Sequence, residues 1–370
     1  MININQNNRF LPIHVINPRA NAENSLHTGE ELESLIATFG GQIIDRVIQK
    51  RDNPDNATFI GKGKIEEVIE KIKQENIDIV VLNSIAKPRQ VHALSLALSS
   101  ANPQIQVWDR VDLILQIFDK HAKTTQAKLQ IKLARMRYMG PRIYGMGFVM
   151  SRQGGGIGTL GVGETNTELM KRHWRNEIKK TNLELEKLTT DRTLQLSRRK
   201  KAGLKTISLV GYTNAGKSSL FNLLTGKKTF VANELFATLD SSVGEMYIQK
   251  LQKQVLITDT IGFIRNLPMT LVSAFKSTLM ESLNSEILLH IIDASDPEIL
   301  EKIRVVDEIL KSLERNTEQD VLYVFNKIDC VTPEVKNELL RTYDPNISFF
   351  VSVKTHDGIT KLQDAIAEKL

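Results

Sequence analysis

Cysteine is almost missing from this sequence. Cys330 is the only one in 370 residues, which excludes an intramolecular disulfide and fits a reducing compartment. No stretch approaches the ~18 uncharged apolar residues that a membrane-spanning helix needs. The N-terminal run MININQNNRF has no basic start followed by an apolar core, so no signal peptide is expected. The cytosol is the expected location, with association at a membrane surface compatible with it. A strong charge of either sign is also lacking: the net formal charge is +6. With 41% hydrophobic and 25% charged residues, the composition is that of a globular protein of two to three domains.

The modest total hides an asymmetry. Residues 120–205 hold 20 Lys/Arg against 6 Asp/Glu, a local charge of 20 − 6 = +14, so the rest of the chain carries 6 − 14 = −8. Such a segment suits a polyanionic partner, nucleic acid above all, although a solvated helical face has the same signature.

Read in order, residues 10–119 alternate strand-like runs (Phe10–Ile16, Gln42–Gln49, Ile77–Leu82, Gln104–Trp108) with helix-like runs (Gly29–Phe39, Lys64–Gln74, Pro88–Leu98). The alternation predicts a small parallel α/β subdomain of about four strands. Gly61-Lys-Gly-Lys64 opens the second helix and could hold a phosphate, though a plain helix start explains it more simply. Apolar residues from Leu115 to Met136 recur at steps of three and four, predicting one helix over 112–139, ended by Gly140-Pro141. A glycine-rich loop follows over 151–163, then a second helix from about Thr165 to Lys200. Together they predict an antiparallel helical hairpin. The last part, 204–370, reads as a mixed six-stranded α/β sheet, with strands at 206–211, 243–250, 254–260, 287–293, 320–326 and 347–353. The short link Lys250–Lys253 makes a hairpin of the second and third. The expected domains are therefore 1–111, 112–201 and 202–370.

The chemistry begins at Gly211-Tyr-Thr-Asn-Ala-Gly-Lys-Ser218, which has the spacing G-x-x-x-x-G-K-[ST]. A buried-strand pattern precedes it and a helix pattern follows, the setting of a P-loop. Glycines let backbone N–H groups converge on phosphate, Lys217 can reach the β- and γ-phosphates, and Ser218 can ligate Mg²⁺. Asp259-Thr-Ile-Gly262 also follows a strand: Asp259 can hold Mg²⁺ through water, and the Gly262 N–H can sense the γ-phosphate. Asn326-Lys-Ile-Asp329 has the N-K-x-D form of a guanine pocket. The Asp329 carboxylate accepts from guanine N1–H and the 2-amino group, which adenine lacks. Lys327 would cover the base with its stem, and Ser352-Val-Lys354 can offer backbone N–H groups to the guanine carbonyl. Thr238, within Phe236-Ala-Thr-Leu-Asp240, lies where a first switch loop belongs and would be the second protein ligand of Mg²⁺.

Together these predict a Mg²⁺-dependent GTPase with Lys217, Thr238 and Gly262 at the reacting phosphate. The expected nucleotide contacts are Gly211, Tyr212, Thr213, Asn214, Ala215, Gly216, Lys217, Ser218, Ser219, Phe236, Ala237, Thr238, Asp259, Thr260, Ile261, Gly262, Asn326, Lys327, Asp329, Ser352, Val353 and Lys354. One residue is conspicuous by its absence. Many small GTPases place Gln directly after the D-x-x-G glycine to orient water; here it is Phe263, so slow intrinsic hydrolysis and a partner that completes the site are expected. Asn214 offers another aid, since its amide oxygen could hold K⁺ near the phosphates, a role tested by turnover in K⁺ against Na⁺.

Ala57-Thr-Phe-Ile-Gly-Lys-Gly-Lys64, Ser151-Arg-Gln-Gly-Gly-Gly-Ile-Gly158, Gly163-Glu-Thr165, Phe236-Ala-Thr-Leu-Asp240 and Asp259-Thr-Ile-Gly-Phe-Ile-Arg265 give the chain a close resemblance to the HflX family of translation-associated GTPases. The resemblance covers nearly the whole length. It implies an N-terminal α/β subdomain, a helical hairpin and a Ras-like GTPase domain in a monomer. It also implies binding to the large (50S) ribosomal subunit and its rRNA, and GTP-dependent splitting of stalled or idle 70S ribosomes. The +14 segment falls on the implied rRNA-binding hairpin. Departures from the family pattern are Leu160 and Val162 in the loop, Asn266 and Met269 after the second switch, Ser241 and Ser242 after the first, and Val353 in the guanine loop. Some members use ATP through the N-terminal region, for which Gly61–Lys64 would be the candidate here. Some carry a further C-terminal domain, for which residues 204–370 leave no room, so its contacts are expected to be absent or replaced. A GTPase of ribosome assembly and an ATP-driven rRNA remodeller are the alternative readings.

Overall fold

The structure is a computed structural model and describes residues 8–19, 22–153, 166–201, 203–227, 235–236, 242–265, 267–275, 279, 283–313 and 319–370. By internal contacts the chain falls into two compact units: Met1–Lys120 with Ile131–Leu183, and His121–Gln130 with Glu184–Leu370.

The first unit is built on a parallel sheet: β1 (Arg9–Ile16), β2 (Gln42–Ile43), β3 (Val47–Lys50), β4 (Ile79–Leu82) and β5 (Gln106–Trp108). β1 lies inside, pairing with β4 on one side and with β2 and β3 on the other; β5 adds to β4. The single strand expected over 42–49 is thus split. Asp45 accepts the Arg46 N–H at 2.7 Å and pairs with Lys71, so its own side chain takes the place of a ladder partner. Helices α1 (Ala22–Phe39), α2 (Lys62–Glu75) and α3 (Pro88–Leu98) connect the strands. Leu11, Ile13, Val68, Val80 and Leu94 form the core on one side. Phe10, Phe39 and Trp108 meet edge to face at 5.6–5.9 Å, an arrangement aromatic quadrupoles favour.

The long helix expected over 112–139 is two helices, α4 (Arg110–His121) and α5 (Thr125–Gln153). Each has its own N-cap. The Asp109 carboxylate accepts the N–H groups of Val111 and Asp112 at 3.0 and 3.1 Å, and Thr124 Oγ1 accepts the Ala127 N–H at 3.1 Å. The Thr124 cap starts a new helix although the apolar rhythm runs on across the break. Gly140-Pro141 does not end α5 either, which continues to Gln153. Pro141 has no N–H to give the preceding turn, a cost that a long helix can absorb locally as a kink. α6 spans Asn166–Lys201. Of the glycine-rich loop expected over 151–163, residues 151–153 belong to α5 instead, and the rest lies outside the described residues.

The second unit holds a six-stranded sheet: β6 (Thr206–Gly211), β7 (Ser242–Ile248), β8 (Lys253–Asp259), β9 (Ile287–Asp293), β10 (Asp320–Asn326) and β11 (Ser348–Phe350), in the order β11-β10-β9-β6-β8-β7. Of these six, only β7 runs antiparallel, paired with β8 as the short link predicts. The strands are near-continuous apolar runs because helices cover both faces. On one side α7 (Lys217–Thr225) and the last helix (Ile359–Lys369) bury Leu220, Phe221, Leu362 and Ile366 against Ile207 and Leu209 of β6 and Leu289 and Ile291 of β9. On the other, Ile303 and Leu339, from the helices Ile299–Ser312 and Pro333–Thr342, pack on Ile292 and Phe325.

Candidate nucleotide site

In this topology the loops after β6, β8, β10 and β11 all leave the carboxyl ends of parallel neighbours. That edge is where an open α/β sheet places its ligands. The four motifs recognised in the sequence are therefore brought to one place by strand order, although 141 positions separate Gly211 from Ser352.

The loop after β6 is tight. Gly211 has φ +151°, and a Cβ there would stand 2.2 Å from the Ile291 carbonyl oxygen. Gly216 has φ +93°, and its Cβ would meet Asn326 Nδ2 at 2.2 Å. Both positions require glycine. Asn214 also sits in the left-handed region, φ +63°, with its side chain exposed. Ala215 is buried, and Ser218 and Ser219 are half-buried in the first turn of α7.

Lys217 is buried and turns back over the loop, donating to the carbonyls of Gly211 at 3.2 Å and Tyr212 at 2.7 Å. Burial lowers its pKa from 10.5 to about 8, with the Asp259 carboxylate pulling the other way. Ser218 Oγ donates to Asp259 Oδ2 at 2.6 Å. Thr260 behaves differently from its neighbour: its hydroxyl donates to the Leu209 carbonyl at 2.6 Å, tying β8 to β6. Ile261 is buried.

Gly262 lies against the P-loop so closely that a Cβ would come within 2.9 Å of Thr213 Cα and 3.0 Å of Lys217 Nζ. The next residue explains why. Phe263 is fully buried, its N–H donates to the Gly211 carbonyl at 3.1 Å, and its carbonyl accepts the Thr213 N–H at 2.8 Å. The aromatic ring at the usual glutamine position is thus an inward anchor that zips the D-x-x-G segment onto the P-loop. Tyr212 reinforces the joint, its hydroxyl accepting the Arg265 N–H at 2.7 Å; Arg265 in turn pairs with Glu298 at 2.7 Å.

On the base side, buried Asn326 is a staple. Its Nδ2 donates to the Ala215 carbonyl at 3.0 Å and its Oδ1 accepts the Val353 N–H at 3.2 Å, joining the P-loop to the β11 loop. The Val353 amide, expected to face the base, is thus taken by Asn326, and the Ser352 N–H goes to the Asp357 carbonyl at 3.0 Å. Asp329 is exposed. Ser352 Oγ donates to it at 2.7 Å, and this bond holds the carboxyl below the usual range, so it stays ionised at neutral pH. Ser352 is buried and Lys354 exposed. Phe236 is buried with φ +58°, and its carbonyl accepts from His121 Nδ1 at 3.1 Å. Because a carbonyl can only accept, this ring nitrogen carries the proton. Ala237 and Thr238 lie outside the described residues.

Two residues near the site were not singled out by the motifs. His290, on β9, is buried and its pKa is lowered to about 3, by burial first and by Lys217 second, so it is neutral. Asp293, at the end of β9, pairs with Lys327 at 2.6 Å. An acidic residue ending a buried apolar strand was the available signal for Asp293.

Residues 27–119 match the family model of the GTP-binding GTPase N-terminal region, 121–199 that of the GTP-binding GTPase middle region, and 206–327 that of a 50S ribosome-binding GTPase. The GTPase HflX of Caldanaerobacter subterraneus subsp. tengcongensis is 40% identical over 345 residues, covering 93% of this chain and 77% of that one. That of Escherichia coli is 36% identical over 350 residues, covering 92% and 78%. A GTP-binding protein from Sulfolobus solfataricus, solved in complex with GDP, shares the fold with a TM-score of 0.50 at 23% identity, over 98% of both chains. Among the described residues no helix is long and apolar enough to cross a membrane. With relatives this similar over nine-tenths of its length, and a P-loop and D-x-x-G segment assembled beside an N-K-x-D loop, the chain belongs to the HflX family of GTPases.

Proposed function

We propose that this GTPase binds the large ribosomal subunit in its GTP state, drives apart the subunits of stalled or idle ribosomes, and is released by hydrolysis. The observation that carries the reading is the burial of Phe263. Its side chain has no hydrogen-bonding group and points into the protein, so water at the γ-phosphate is oriented by something else. A large partner that supplies this orientation makes hydrolysis conditional on binding. The +14 of residues 120–205 suits an rRNA surface, and the match to a 50S ribosome-binding GTPase model agrees with it.

In this reading Lys217 neutralises the β- and γ-phosphates and the Gly262 N–H reads the γ-phosphate. Thr213 is buried against Gly262 through its methyl group and Cα, and its hydroxyl has no hydrogen-bond partner among the described residues. Ser218 Oγ is a hard oxygen donor of the kind Mg²⁺ takes, and Asp259, 2.6 Å from it, would hold the metal through water. Bound there, Mg²⁺ would supply charge neutralisation of the phosphates. Thr238 is its proposed second protein ligand. Asp329 accepts from the guanine edge, and Asn326 keeps the base and phosphate halves of the site in register.

GTP turnover with and without large ribosomal subunits tests the proposal. Stimulation of about tenfold or more is expected, a small part of what trans-acting groups give other GTPases. Equal rates would remove the conditional step.

A further inference from the structure

Asp293 lies outside the N-K-x-D motif, 34 positions before Lys327 in the chain, yet the sheet places the two side by side. β9 and β10 end together, and the Ala294 N–H donates to the Asn326 carbonyl at 2.8 Å, so the residue after Asp293 is tied to the residue before Lys327. Asp293 is itself held in place. Its Oδ1 accepts the Ser295 N–H at 3.0 Å and the Ser295 hydroxyl at 2.6 Å, leaving Oδ2 to take the Lys327 ammonium at 2.6 Å. Both side chains are largely covered, at 18% and 31% exposure. Lys327 has φ +64°, a conformation that a residue with a Cβ adopts only when its surroundings enforce it.

We propose that Asp293 is a positioning residue of the guanine site. It anchors the Lys327 ammonium beside the pocket, so that the methylene stem lies as a fixed lid over the face of a guanine nucleotide. A free lysine would sample many rotamers and cover the base only part of the time; the ion pair removes that freedom before the nucleotide arrives. Ser295 performs the same service for Asp293. This inference rests on the reading of Asn326–Asp329 as the guanine pocket.

A double-mutant cycle tests it, with GDP as the probe in calorimetry and GTP in steady-state turnover. Asp293→Asn keeps the shape and the Ser295 contacts but removes the charge that holds Lys327. We expect GDP binding to weaken about fivefold, the size of a well-formed ion pair, and the loss in turnover to appear in KM more than in kcat. Lys327→Met keeps an apolar stem and loses the ammonium. In that background Asp293→Asn should cost nothing further, because the two residues act through one contact. Ser295→Ala should give a smaller loss in the same direction and covers the case that Asp293→Asn folds poorly. Additive losses, or unchanged GDP binding in Asp293→Asn while Lys327→Met weakens it, would overturn the positioning role and leave the pocket standing. If Lys327→Met and Asp329→Ala both leave GDP binding unchanged, the pocket reading itself fails, and the role of Asp293 with it.

Discussion

Replacing Lys217 by Met should lower GTP turnover by about 100- to 1,000-fold, the range found when one preorganised donor is removed from a charge-developing site. The fold should survive. The ammonium is buried, hydrogen-bonded to the carbonyls of Gly211 and Tyr212, and the Asp259 carboxylate offsets only part of its desolvation. An apolar side chain of similar length avoids that desolvation, so thermal stability without nucleotide should be unchanged or higher. The lowered pKa adds a pH signature. Folding favours the neutral amine between about 8 and 10.5, where the unfolded chain binds more protons, so this group makes stability rise with pH across that window. Phosphate favours the ammonium. Near pH 9 nucleotide binding should therefore take up a proton, and affinity should fall as pH rises above about 8. Calorimetry of GDP binding in two buffers of different ionisation enthalpy reads the proton directly. No uptake at pH 9, or full turnover in Lys217→Met, would contradict this role.

Asp329→Asn should exchange one purine for another. Guanine presents N1–H and a 2-amino group, both donors; xanthine has a carbonyl where the amino group stood. An amide can donate to that carbonyl, whereas a carboxylate cannot. GTP binding should weaken by roughly 100-fold or more, and xanthosine triphosphate should become the better ligand. Stability should hardly move, because Asp329 is exposed and gives up little beyond its bond from Ser352. Competition between the two nucleotides measures the exchange. An unaltered preference for GTP would place base recognition elsewhere.

Much of this site is legible in the sequence because its signals are local. A glycine-rich turn between strand and helix, or a short polar motif ending an apolar strand, needs no distant residue to be recognised. The helical segment is harder. The apolar steps of α4 and α5 continue in phase across residues 122–124, and only the Thr124 cap betrays the break. Gly140-Pro141 looks like a terminator because proline has no N–H, yet α5 carries on beyond it. At Gln42–Gln49 the alternation is visible and the Asp45 interruption is not, since it depends on Lys71 from α2. The same limit hides Asp293, whose meaning comes from a strand pairing that no spacing announces. Phe263 is legible as a missing glutamine. That its backbone fastens Gly262 to the P-loop is a fact of three dimensions.

The central claim is that GTP binding does the work of separation and that hydrolysis, conditional on the ribosome, releases the protein. Sedimentation of 70S ribosomes with this protein and GTP, GDP or a non-hydrolysable GTP analogue tests it most directly. The account predicts separate subunits with GTP and with the analogue, and intact 70S particles with GDP. Intact 70S particles under all three conditions would contradict it.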